Sequence, residues 1–123
     1  MGASKNQPLA ARVLFACAGL VHGARSERSL QLQLIAFGVM LIALTVLRPE
    51  PVWWALVVGS SALVIAAEMF NTAIEALADH LHPEIHPSIR IVKDCAAGAV
   101  LVASLGAVGV GVALVAHLCA GRT

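Results

Sequence analysis

Residues 68–79 read Glu-Met-Phe-Asn-Thr-Ala-Ile-Glu-Ala-Leu-Ala-Asp (EMFNTAIEALAD), and they continue an uncharged run from Val52 to Ala67 with no helix breaker between. At about 100° per residue, Glu68, Thr72, Glu75 and Asp79 fall within roughly 60° of one another, with Asn71 just beside them. One face of one helix therefore carries up to three negative charges. Ionised carboxylates are costly near hydrocarbon, so this cluster is a candidate functional site that holds a divalent cation or relays protons. A helix end emerging into water is the bland alternative, and it suits Asp79 far better than Glu68.

Working outward, composition sets the class. The chain has 123 residues, 59% of them hydrophobic and only 12% charged. A soluble domain carries about twice that charge. One integral membrane unit, all-α, is the expectation. Net charge is +1 and the basic residues form no block, which gives no basis for a nucleic-acid partner. Cys17, Cys95 and Cys119 are far apart and lack any CxxC pattern, so neither a disulfide framework nor a zinc site is expected. No signal peptide is expected either: residues 1–7 are polar, and the apolar stretch after them is interrupted by Arg12, His22 and Arg25.

Along the chain, residues 1–7 read as flexible, and Pro8 suits a first helical position. Residues 8–25 mix apolar residues with Arg12 and His22, the pattern of an amphipathic helix on the membrane surface or of a short helix packed on the spans. The first crossing is expected at 28–47, whose apolar part from Leu30 to Leu47 is just long enough. Gln31 and Gln33, in its first turns, are suited to bond a neighbouring helix or a lipid headgroup. Arg48-Pro49-Glu50-Pro51 forces a turn, with Trp53 and Trp54 following where an interfacial aromatic belt belongs. The second crossing is expected at 52–80. Pro83 and Pro87 break the chain, Ser88 is a candidate N-cap, and the third crossing is expected at 88–120. Its Gly98, Gly106, Gly109 and Gly111 suit close helix packing. The whole of 1–123 reads as a single domain.

Charge asymmetry orients it. Lys5, Arg12, Arg25, Arg28, Arg90 and Lys93 lie on one side of the three crossings, against Arg48 and Arg122 on the other. The basic side is expected in the cytoplasm, and the N-terminus with it.

This topology gathers Glu27, Glu75, Asp79, Lys93 and Asp94 at one membrane face. The other halves of the crossings hold no acid and no base except His117, so a transport path has nothing to run along. Carboxylates hold Mg2+ through one or two oxygens while phosphate oxygens fill its octahedron. A lysine near a helix N-terminus attracts the same anion. Phosphoryl transfer asks a protein mainly to position groups and neutralise charge, so this inventory suits it. Glu68, two turns deeper than Glu75, stands where a lipid hydroxyl reaches up, as a candidate general base. His80, His82 and His86 suit headgroup or nucleotide contact better than a transition-metal site, because two prolines intervene.

The combination of Glu68, Asn71, Thr72, Ala73, Ile74, Glu75 and Asp79, then Glu84-Ile85-His86-Pro87, then Lys93-Asp94 with Ala96, Ala97 and Gly98, closely resembles the prokaryotic diacylglycerol kinase family, which includes undecaprenol kinases. The resemblance covers nearly the whole chain. It implies an ATP-dependent, Mg2+-requiring lipid kinase of the inner membrane, a homotrimer with three crossings and one surface helix per protomer and with active sites shared between neighbours. Position by position, it implies that Glu68 is the catalytic base, supported by Asn71, and that Glu27 and Glu75 hold the metal. It implies nucleotide contacts from Phe15, Glu27, Glu75, Glu84, His86, Lys93 and Asp94. Lipid contacts are implied for Gln31, Gln33, Trp54, Glu68 and Ala97, and the chain departs from the family's pattern at Pro8, Gln31 and Gln33. No Gly-rich phosphate loop is expected in that family, and the chain has no GxxxxGK[ST] run. Diacylglycerol is the expected substrate, undecaprenol the alternative, and a non-catalytic oligomeric scaffold with a structural cation site the rival of a different class.

Overall fold

A computed structural model describes residues 6–121. Lys5 and Arg122, used in the charge count, and most of the expected flexible start lie outside the described residues. The described residues form α1 (Leu9–Ser26), α2 (Arg28–Leu47), α3 (Pro51–Leu81) and α4 (Pro87–Ala120), with no strand among them. The all-α architecture expected from composition is the one observed. The helix ends fall within one residue of the expected positions, because prolines and a polar junction end each apolar run.

Three of the four helices, α2, α3 and α4, are long and apolar enough to cross a membrane. At helical rise α3 extends about 46 Å and α4 about 51 Å, against a hydrocarbon core of about 30 Å. Both must therefore reach into the interfacial zone. α1 exposes Leu9, Val13 and Leu14, as a helix bathed on one side by lipid would.

Local chemistry explains each junction. Pro8 precedes α1 rather than opening it, and its carbonyl accepts from the Arg12 N–H at 3.2 Å. Glu27 alone separates α1 from α2: it is extended (φ −107°, ψ 113°), closes α1 by donating to the Gly23 carbonyl, and opens α2. Arg48 ends α2 in the left-handed region (φ 48°, ψ 52°), after which Pro51 takes the first position of α3, where its missing N–H has no cost. The expected cap of the last helix is corrected: His86, not Ser88, caps α4. Pro87 is pre-set for the first helical turn, so the cap falls two residues earlier, and His86 Nδ1 accepts the Ser88 N–H at 3.1 Å.

α2, α3 and α4 run up, down and up, and α3 is the hub. α2 and α4 flank it without close backbone approach to each other among the described residues. At the end remote from Glu68, Leu44, Val57 and Leu114 form a small core with Met40, Trp54 and Val110 packed around it. Trp53 reaches across to His117 there, ring centroids 5.3 Å apart. Packing uses the glycines differently from expectation. A Cβ at Gly98, Gly106, Gly109 or Gly111 would meet nothing within 4 Å, whereas one at Gly23 would press on Leu30 and on the Met69 sulfur at 2.9 Å. Among these glycines, close approach inside the protomer is therefore at Gly23, where α1 meets Leu30 of α2 and Met69 of α3.

Candidate functional site

Glu68 is the buried charged residue of the described chain, 5% exposed. The antiparallel register of α2 and α3 sets the first turn of α2 beside it, and Ser29 Oγ donates to Glu68 Oε2 at 3.2 Å. A buried carboxylate needs such a donor, since an unpartnered one is driven out of its charged form or out of the interior.

The expected single acidic face is divided in three dimensions. Glu68 turns to α2. Asp79 forms an ion pair with Lys93 on α4. Asn71 lies along a cavity of about 760 Å³ between α3 and α4, lined also by Phe70, Ile74, Cys95 and Ala96. The reason is the height at which α2 begins: it starts at Arg28, opposite Glu68, so Asp79, roughly 16 Å further along α3, lies beyond its end and faces α4. Asn71 Oδ1 is buried without a hydrogen-bond partner, an acceptor left open inside the protein. Glu75 is half-buried, roughly 10 Å along the axis from Glu68.

Glu27 occupies the elbow between α1 and α2 and is half-buried. The elbow is tied by Gln31, whose Nε2 donates to the Ala24 carbonyl at 3.0 Å and approaches that of Arg25 at 3.4 Å. Of the two roles open to Gln31, a bond to a neighbouring helix is the one observed. Gln33 instead lines a second cavity, of about 740 Å³, with Phe37, Met40, Val64 and Ser104 among its walls.

The remaining residues spread out. Phe15 is half-buried on α1, and Asp94 makes an exposed pair with Arg90 at 3.7 Å. In the α3–α4 loop Glu84 is exposed, its carbonyl 3.3 Å from His82 Nδ1, and the His82 and His86 rings lie 5.4 Å apart. Ala97 is exposed, while its neighbours Ala96 and Gly98 wall the α3–α4 cavity. Trp54 is not brought to the acidic end at all. It stands in the remote core, roughly 21 Å along α3 from Glu68, so a lipid touching both would do so with opposite ends.

Among the described residues no group of three or more His, Cys, Asp or Glu side chains could hold a metal ion. Mg2+ is ordinarily held in another way, by one or two carboxylates with phosphate oxygens completing the shell. Glu27 and Glu75 fit that donor set, and neither is in an ion pair among the described residues. The Ser29 contact was not foreseen from the sequence. Its signal was faint: a small hydroxyl two residues after Glu27, at the level to which Glu68 descends.

The model of the prokaryotic diacylglycerol kinase family matches residues 14–115. A diacylglycerol kinase of Synechocystis sp. is 34% identical over 98 residues, covering 79% of this chain and 56% of its own length. An undecaprenol kinase of Bacillus subtilis is 32% identical over 84 residues, 68% of each chain. The match thus spans little more than half of the Synechocystis protein.

Proposed function

We propose that this chain, which belongs to the prokaryotic diacylglycerol kinase family, transfers the γ-phosphate of MgATP to the hydroxyl of diacylglycerol, giving phosphatidic acid and ADP. The observation that carries the reading is Glu68, a carboxylate buried in a membrane-crossing helix and held by a hydroxyl rather than by a cation. Such a group is poised to accept a proton from an alcohol arriving through the bilayer.

In this reading Glu68 takes the hydroxyl proton, the alcohol oxygen forms the new bond to the γ-phosphorus, and the bridging oxygen departs on ADP. Asn71, about one turn away on the same helix, supports that geometry from beside the α3–α4 cavity. Glu27 and Glu75 would hold Mg2+, which when bound would neutralise charge on the triphosphate. Lys93, near the α4 N-terminus, and the exposed Asp94, Glu84 and His86 face the nucleotide, with Phe15 approaching from α1. Gln33, Trp54 and Ala97 contact the lipid, and Gln31 shapes its site through the elbow. The protomer acts as a single domain within a homotrimer of the inner membrane, N-terminus and acidic end in the cytoplasm, with sites shared between neighbours. The biased distribution of Arg and Lys supports that orientation.

Undecaprenol is the second candidate substrate, favoured by the likeness to the Bacillus subtilis undecaprenol kinase. Purified protein in mixed micelles, given labelled ATP and each lipid in turn, separates the two. Glu68→Gln is expected to abolish turnover and to leave nucleotide binding nearly intact. A fully active Glu68→Gln variant refutes the base assignment, and ATP left unconsumed with either lipid favours a structural scaffold.

A further inference from the structure

We propose that Ser29 is a positioning residue: its hydroxyl fixes the Glu68 carboxylate and keeps it in register with Glu27. The inference rests on the reading of Glu68 as general base.

Ser29 Oγ donates to Oε2, at 3.2 Å, and no other side chain among the described residues bonds this carboxylate. A carboxylate gripped at one oxygen loses its freedom to rotate about its last torsion, a torsion that is otherwise broad. The lone pairs of Oε1 then point in one direction, as a base aligned with an approaching alcohol requires. Position in the chain adds a second element. Ser29 lies two residues beyond Glu27, in the same first turn of α2. That turn is anchored to α1 by Gln31 and packed on α3 where Gly23 admits Met69. The bond therefore joins the base on α3 to the turn that bears a candidate metal carboxylate, and holds the distance between them. No covalent bond to Ser29 forms or breaks. The proton passes from the lipid hydroxyl to Oε1, and Ser29 keeps its own hydrogen directed at Oε2.

The test uses the full chain in mixed micelles with ATP and lipid varied separately. Ser29→Ala is expected to lower kcat about tenfold while both KM values stay within about twofold, because orientation rather than binding is lost. Ser29→Thr, which retains the hydroxyl, is expected to recover kcat to within about threefold of the unaltered protein. Thermal unfolding of each variant is followed in the same micelles. Unchanged kcat in Ser29→Ala beside an inactive Glu68→Gln overturns this proposal alone. Thr no better than Ala, with kcat falling in step with thermal stability, also overturns it, since a merely structural bond behaves so. An active Glu68→Gln overturns the base assignment and this proposal together.

Discussion

Replacing Asp79 with Asn should make the protein bind ATP more tightly. In the protomer Lys93 Nζ is paired with Asp79 Oδ1, their side chains 35% and 64% exposed. If Lys93 is to meet the triphosphate, it must first leave that carboxylate. A pair so open to water contributes at most about 1 kcal/mol, so the competition it imposes is small and bounded. Removing it at nearly constant shape is expected to lower the KM for ATP by about two- to fivefold, the range that 0.5–1 kcal/mol allows. The kcat at saturating ATP should stay within about twofold, because Asp79 touches no reacting atom in the proposed site. Initial rates in mixed micelles at saturating lipid, with ATP titrated, give both constants. Repeating the titration in high salt should shrink the difference, since exposed charges are screened. A KM that rises in Asp79→Asn would refute the reasoning, for it would mean that Asp79 aims Lys93 at the nucleotide rather than competing with it.

Three further outcomes test the fold. Arg48 holds a left-handed conformation that an L side chain adopts at a cost of about 1 kcal/mol, so Arg48→Gly is expected to raise the thermal midpoint in micelles, and a lowered midpoint would count against the turn as described. His86→Ala removes the α4 cap, at a cost of about 1 kcal/mol, and should speed amide exchange at Ser88 and Ile89, whereas His86→Asn should restore protection. Leu44→Ala, at a fully buried position, should destabilise by about 2–3 kcal/mol, and Leu101→Ala, 60% exposed, by less than about 1 kcal/mol; equal effects would show that the remote core is not where stability resides.

The helices were legible because apolar runs in this chain end at prolines or at the polar residues around Glu27, and those signals act locally. The acidic stretch was legible as a site for the same reason: Glu68 after an uncharged run needs an explanation wherever it points. What periodicity could not convey was direction. An angle around α3 puts Glu68 and Asp79 on one face, but only the height at which α2 begins decides that one meets Ser29 and the other Lys93. Gln31 shows the same limit, since an amide in a first turn suits both a lipid and the carbonyls of a preceding helix, and only the bend at Glu27 brings the Ala24 carbonyl within its reach. His86 looks in sequence like a ligand contact, because imidazoles are uncommon caps, yet it holds the start of α4.

The hub position of α3 carries a consequence for handling the protein. With α2 and α4 splayed on either side, most large apolar side chains meet whatever medium surrounds them, and few are held by the protomer itself. Water cannot drive such helices together inside a bilayer, so their association depends on packing and on what fills the gaps. Detergent choice and dilution should therefore act on this molecule much as a denaturant acts on a soluble one, with the splayed helices loosening before any of them unwinds.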